Sequence, residues 1–199
     1  MIVKQNVAAV ILAGGQGSRY SGQDKGLVSL AGMPLYQHVA RAVSNRCDTV
    51  YINANRNLAD YRQSGFTVVE DAFGAFQGPV SGIVSALAVV QHAYAFILPV
   101  DTYFFDQSLL DLFLARDLPA DSVRVLRLDD QVEPLVALVP LTLKDRITTQ
   151  FHQGIRSAKR CWQNVDVDYV EVTSAAGPVM MNINSAEDKV ELERILNSS

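Results

Sequence analysis

Val7-Ala-Ala-Val-Ile-Leu12, followed at once by Ala13-Gly14-Gly15, is the stretch from which the fold is read. The apolar run is short, continuous and rich in β-branched residues, and it stops at a pair of glycines. This pattern marks a strand buried on both faces, as at the centre of a parallel sheet. Working outward, Leu35, Val39, Ala42 and Val43 follow Pro34 at helical spacing, which predicts a helix lying on that sheet with Pro in its first turn. The alternation continues with a strand at 49–52, a helix at 58–64 and a short strand at 67–69 ending at Glu70-Asp71. A helix at 82–90 and a buried strand at 95–98 follow, the latter ending at Pro99-Val-Asp101. Such alternation predicts the α/β class. Beyond it, the pattern predicts a helix at 108–114, strands at 123–128 and 135–139, and a final helix. Ser185-Ala-Glu-Asp188 resembles the cap of that helix, whose apolar positions are Val190, Leu192, Ile195 and Leu196.

The bulk properties narrow the function. A chain of 199 residues that is 49% hydrophobic can bury one substantial core, so a single domain spanning residues 1–199 is expected. No apolar run approaches the roughly 20 residues that cross a bilayer, and the start, Met1-Ile-Val-Lys-Gln-Asn, has no signal-peptide pattern. A soluble cytoplasmic protein with no membrane partner is expected. Cys47 and Cys161 have no CxxC spacing and read as reduced core thiols. The net charge of −4 argues against a nucleic-acid surface, which concentrates Lys and Arg, but leaves room for a local basic pocket.

Such a pocket is suggested by residues 12–27, Leu-Ala-Gly-Gly-Gln-Gly-Ser-Arg-Tyr-Ser-Gly-Gln-Asp-Lys-Gly-Leu. Glycines directly after a buried strand let backbone N–H groups approach phosphate oxygens, and Arg19 and Lys25 offset phosphate charge. Two common fingerprints fail. A dinucleotide motif begun at Gly15 meets Tyr20 where Gly is needed, and a P-loop begun at Gly17 meets Gln23-Asp24 after Gly22. On glycines alone the stretch reads equally as a phosphate loop or a structural turn. The ends of the predicted strands also matter, because ligands of open α/β sheets gather beyond the strands' carboxyl ends. Gly14, Asn53, Asp71 and Asp101 stand at four such ends.

Leu12-Ala-Gly-Gly15, Arg19, Gly22 and Asp24-Lys-Gly-Leu27 together resemble the opening motif of the molybdenum cofactor guanylyltransferase family, also called MobA. The resemblance continues through Gly32-Met-Pro-Leu35, Asn53-Ala-Asn-Arg56, Glu70-Asp71, Gly78-Pro-Val-Ser-Gly82, Asp101-Thr102 and Asn182-Ile-Asn184, nearly the whole chain. It implies a three-layer α/β/α sandwich with a Rossmann-like, mostly parallel sheet, similar to nucleotide-diphospho-sugar transferases. It implies GTP and Mg²⁺ as ligands and molybdopterin, or its molybdenum form, as acceptor, with other cofactor-assembly proteins as possible partners. By position, Leu12, Ala13, Gly14, Lys25, Asn53, Asp71 and Asp101 match the family's guanine-nucleotide contacts, and Asp101 also its metal position. Arg19, Gly22, Asn182 and Asn184 match residues associated with catalysis or the pterin side. Several positions depart from the family pattern: Tyr20 for Met, Val100-Asp-Thr-Tyr103 for a CDTP-like run, Glu133-Pro134 for His-Pro and Ser185-Ala186 for Thr-Pro.

The expected reaction is attack by the acceptor's terminal phosphate on the α-phosphorus of GTP, with catalytic roles for Arg19, Lys25 and Asp101. Arg156, in Gly154-Ile-Arg156, is a further candidate for the anionic acceptor. Each residue also has a plainer reading: Arg19, Lys25 and Arg156 as solubilising surface charges, Asp101 as a turn or cap residue, Asn53 and Asp71 as partners for strand-end backbone. His38, His92, His152 and the Phe104-Phe105 pair read as structural, and Asp129-Asp130-Gln131 as a solvated turn. Two other functions are weighed against guanylyl transfer. One keeps the fold with a different substrate, as a cytidylyltransferase for the same pterin or a sugar-phosphate nucleotidyltransferase; Gly14-Gly15 disfavours the cytidylyl branch, whose members tend toward LAAG. The other is a non-catalytic nucleotide-binding protein that delivers cofactor, which leaves a metal carboxylate at Asp101 without a purpose.

Overall fold

Seven strands form the main sheet of the computed structural model. The structure describes residues 1–14, 23–74, 77–175, 177 and 179–198. In chain order these strands are β1 (Val7–Leu12), β4 (Thr49–Asn53), β5 (Thr67–Val69), β6 (Tyr94–Pro99), β8 (Ser122–Leu128), β9 (Gln131–Pro140) and β10 (Asp166–Val172). They lie side by side in the order β10-β8-β9-β6-β1-β4-β5, and all pairings are parallel except those of β9, which runs against both β6 and β8. Two small antiparallel pairs complete the strands among the described residues: β2 (Ser29–Leu30) with β3 (Met33–Pro34), and β7 (Thr102–Phe104) with β11 (Met180–Asn182).

β1 occupies the centre because its side chains are apolar on both faces: Val7 to Ile11 are all fully buried. Val7, Ala9 and Ile11 join one core with residues of α1 (Leu35–Val43), α2 (Leu58–Arg62) and α4 (Leu109–Leu112). Ala8 and Val10 join the opposite core with α3 (Pro79–Val89), α5 (Lys144–His152) and α6 (Ala158–Trp162). This two-sided alternation is the period of a strand, and it fixes the three layers. Each fully buried aliphatic side chain contributes about 1.5–3 kcal/mol to folding. Outside the first helix layer, α7 (Ala186–Ser198) sets Leu192 against Leu30, Leu35 and Ile183.

The helices differ in how many faces they bury. α1 is amphipathic and buries Tyr36, Val39, Ala40 and Val43 on one side. α3 buries Val80 through Leu87 without a break, since it packs on the sheet and also meets α5 and α6. It begins at Pro79, three residues before the expected start, because Pro is favourable where the first N–H has no helical acceptor. The expected cap of α7 is present as a reciprocal box: the Asp188 amide donates to Ser185 Oγ, and Asp188 Oδ2 accepts from the Ser185 amide. Asp129 and Asp130 both have positive φ and form a tight turn between β8 and β9, as the turn reading expects. No helix among the described residues is long and apolar enough to cross a membrane.

Candidate active site

Four neighbouring parallel strands end together. The Ala13 amide donates to Asn53 O, Ala54 to Val69 O and Val100 to Leu12 O, so the ladder continues one residue past β1, β4 and β6 and fixes the backbone beyond each. At this edge lies a cleft of about 320 Å³. Leu12, Ala13, Gly14, Lys25, Asn53, Asp71 and Asp101, the nucleotide contacts expected from sequence, all line it, together with Gly78, Gly82 and Leu135.

On one side, Asn53 is a strut. Its side chain is buried, and its Nδ2 donates to Asp71 Oδ1 at 2.8 Å and to Val69 O at 3.2 Å. With both amide hydrogens committed, Asn53 has none left for a ligand, and its main effect is to aim the Asp71 carboxylate. Asn55 assists by accepting from the Asp71 amide at 2.9 Å. Two glycines make room for the strut. A Cβ at Gly82 would lie 2.2 Å from Asn53 Oδ1, and one at Gly14 would lie 3.2 Å from the same oxygen.

On the other side, charges converge. Lys25 Nζ lies 2.7 Å from Asp101 Oδ2 and 3.0 Å from Asn184 Oδ1, with both charged side chains largely shielded from solvent. Asn182 is tied to the same corner, its Oδ1 accepting from Thr102 Oγ1 at 2.7 Å. Asn182 ends β11, whereas Asn184 lies beyond it, and between them the Ile183 amide donates to Asp101 O at 2.7 Å. The two asparagines therefore reach one corner while Ile183 is buried beneath them. Two side-chain oxygens, one from a carboxylate and one from an amide, already surround a positive charge here, and this hard-oxygen donor set fits Mg²⁺. No group of three or more His, Cys, Asp or Glu able to hold a metal occurs among the described residues, so other ligands would come from phosphate and water.

Other expectations fall elsewhere. Arg19 and Gly22 lie outside the described residues. Arg156 stands beside the start of α3, where its backbone oxygen accepts from the Val80 amide; its guanidinium stacks 4.0 Å over Phe151 and donates to Phe151 O. It is not part of the cleft lining. His38 contacts Leu30 O and His92 contacts Asp48, while Phe104 is buried in the core, all consistent with structural roles. Cys47 and Cys161 are buried and unpaired, their thiols pushed up by burial to about 12 and about 11.

Three residues at the site were not selected from sequence. Glu133, near the start of β9, has its carboxyl pushed up by burial and then by the Asp101 charge, against the opposing pull of a hydrogen bond with Asn182. Its only sequence signal was that it replaces His before Pro134. Asp24 and Tyr61 are bonded to each other behind Lys25. Asp24 was visible as part of the Asp-Lys-Gly-Leu motif, whereas Tyr61 carried no signal because it approaches only through the fold.

Comparison with known proteins agrees with this geometry. Residues 9–166 match the MobA-like NTP transferase domain. The chain is 36% identical over 180 residues to the molybdenum cofactor guanylyltransferase of Pseudomonas aeruginosa, covering 89% of this chain and 90% of that protein. It is 33% identical over 193 residues to the protein of the same name from Histophilus somni, covering 95% and 97%. Among solved structures, molybdopterin-guanine dinucleotide biosynthesis protein A from Archaeoglobus fulgidus superposes with a TM-score of 0.74 at 21% identity, over 96% of this chain and 100% of that one. The fold is that of the nucleotide-diphospho-sugar transferases, and the protein is a nucleotidyltransferase by class. Within that class, the chain belongs to the MobA-like NTP transferase family.

Proposed function

We propose that this protein is a molybdenum cofactor guanylyltransferase, a single domain that moves GMP from GTP to molybdopterin or its molybdenum form. The observation that carries the reading is the convergence of residues from separate segments on one cleft: Leu12 to Gly14, Lys25, Asn53, Asp71 and Asp101. The base goes to the Asn53 and Asp71 side. There the Asp71 carboxylate accepts from guanine N1–H and the exocyclic amine, a donor pair that adenine and cytosine do not present in the same way. The triphosphate goes to the side of Lys25 and Asp101.

In the transfer, a terminal phosphate oxygen of the acceptor forms a bond to the α-phosphorus of GTP. The bond from that phosphorus to the α–β bridging oxygen breaks, and pyrophosphate leaves with the electron pair. The nucleophile is already anionic near neutral pH, so no side chain needs to remove a proton. The protein's task is to position two anions that repel each other and to stabilise the spreading charge. Lys25 turns from Asp101 to the phosphates, and Arg19 holds phosphate oxygens in its guanidinium fork. Asp101 and Asn184 would hold Mg²⁺, which neutralises charge on the phosphate oxygens when bound. Asn182 and Asn184 face the acceptor, Gly22 is assigned to it by its place in the family motif, and Arg156 attracts its charge from beyond the cleft. A cytoplasmic setting accords with the unpaired thiols of Cys47 and Cys161.

The test is incubation with GTP, Mg²⁺ and molybdenum-loaded molybdopterin, followed by detection of the guanine dinucleotide and pyrophosphate. Both products are expected. Turnover of CTP with none of GTP would move the protein to the cytidylyl branch, and tight GTP binding without pyrophosphate would favour a delivery protein.

A further inference from the structure

Behind Lys25, the neighbouring Asp24 turns inward instead of toward solvent. Its side chain is only 3% exposed. One carboxylate oxygen accepts from the Tyr61 hydroxyl at 2.7 Å and from the Gly26 amide at 3.2 Å. The other accepts from Asn57 Nδ2 at 3.1 Å and lies 3.6 Å from Arg56 Nε. Arg56 also donates to Gln23 O at 2.7 Å. Residues 23–27 are thereby stapled to the loop after β4 and to α2, across a separation of more than thirty positions in sequence.

The contacts bracket Lys25 from both sides. Asp24 caps the short 3-10 turn Lys25–Leu27 that carries the lysine. Gly26 has no space for a side chain, because a Cβ there would lie 2.2 Å from the Tyr61 hydroxyl. Tyr61 is itself fully buried, with its ring edge-on to Tyr36 at 5.1 Å, so its hydroxyl is a fixed point. A buried carboxylate needs such partners to offset its lost hydration, which makes the cluster sensitive to removal of any one. None of these groups lines the cleft.

We infer that Asp24 and Tyr61 are positioning residues that hold the Lys25 backbone in register with Asp101 and Asn184, so that the lysine meets a nucleotide's phosphates without searching for them. The inference rests on the proposed role of Lys25 toward the triphosphate and adds how that role is built. It also links the two sides of the cleft, since the anchor points Arg56 and Asn57 follow directly after Asn53 and Asn55, which orient Asp71.

The test is a double-mutant cycle read by calorimetric GTP binding with Mg²⁺ present, using Tyr61→Phe, Lys25→Ala and the pair together. Lys25→Ala is expected to weaken binding about tenfold or more, the scale of a charge-assisted hydrogen bond. Tyr61→Phe, which removes one oxygen atom, should weaken it about threefold through misplacement of the lysine. The double variant should then bind no more weakly than Lys25→Ala alone, because both changes act through one group. Independent multiplication of the two effects, or wild-type binding by Tyr61→Phe, would overturn the inference. Thermal unfolding of each variant identifies any loss that comes from misfolding. Should Tyr61→Phe fail to fold, Asn57→Ala removes a partner of the other Asp24 oxygen at an exposed position and enters the same cycle. If the wild type binds CTP in place of GTP, the guanylyl reading falls while the cycle, run with CTP, still decides the positioning role. If it binds no nucleotide, both fall.

Discussion

Two cation–carboxylate pairs stand in different parts of this molecule, and they differ in what surrounds them. Arg124 on β8 is fully buried and pairs with Asp168 on β10 at 2.7 Å. Three more of its N–H donors go to backbone carbonyls, those of Phe113, Arg116 and Asp117. Lys25 pairs with Asp101 at the same 2.7 Å, but its other described partner is the side-chain oxygen of Asn184, and the cleft is open beside it. Backbone carbonyls cannot move away, whereas side-chain oxygens can exchange one cation for another. The first pair is structural because its partners are fixed. The second can serve chemistry because its partners can be exchanged.

Breaking the first pair should have the largest effect. Arg124→Met leaves Asp168 Oδ2 and three carbonyls without their donor, with only Arg116 still paired to Asp168 Oδ1, and a loss of about 3–5 kcal/mol in unfolding free energy is expected by denaturant titration. The specific activity of the molecules that remain folded should be unchanged. For the second pair the pattern should invert. Asp101→Asn is expected to lower turnover by about a hundredfold, the scale of removing one preorganised electrostatic group, while the unfolding midpoint barely moves. Normal magnesium-dependent turnover by this variant would remove Asp101 from the mechanism.

A third experiment sharpens the comparison on the base side. Asp71→Asn replaces an acceptor with a mixed donor and acceptor, so preference for GTP over ATP should fall by about tenfold or more, measured as the ratio of kcat/KM values. Gly82→Ala should lower the same ratio indirectly, because its Cβ would displace Asn53 and release Asp71. Unchanged selectivity in both variants would locate guanine recognition elsewhere.

Much of this was legible in the sequence where local pattern and tertiary demand agree. β1 at Val7–Leu12 and β5 at Thr67–Val69 have the expected bounds, since each is a short apolar run with polar punctuation. The shared crevice was legible for the same reason, as it follows from where strands stop. What escaped notice depends on contacts distant in sequence. α5 carries a weak signal because it buries little beyond Ile147, Gln150 and Phe151. β10 mixes Asp and Glu with Val at a sheet edge, where one side of the strand has no neighbour. β7 and β11 exist only by pairing with each other across the chain. The roles of Asn53 and Tyr61 could not be separated from backbone satisfaction or plain packing without knowing which atoms they meet.

β9, the one strand of the main sheet that runs backward, has a consequence for how such a protein can change. The parallel strands β1, β4, β5 and β6 arrive at the crevice by their ends, and the chain beyond each runs on to a helix packed on the sheet. β9 arrives by its beginning, just after the Asp129-Asp130 turn from β8, and brings Glu133 to the vicinity of Asp101 and Asn182. That corner is a hairpin tip. Residues there can be substituted, or the turn lengthened, without rerouting a helix or disturbing Asn53 and Asp71. The Asn53 and Asp71 wall is therefore built into the frame, while the wall beside Glu133 can be refitted, so under the proposed function one half of the reaction can be retuned in evolution or by design while the other is kept.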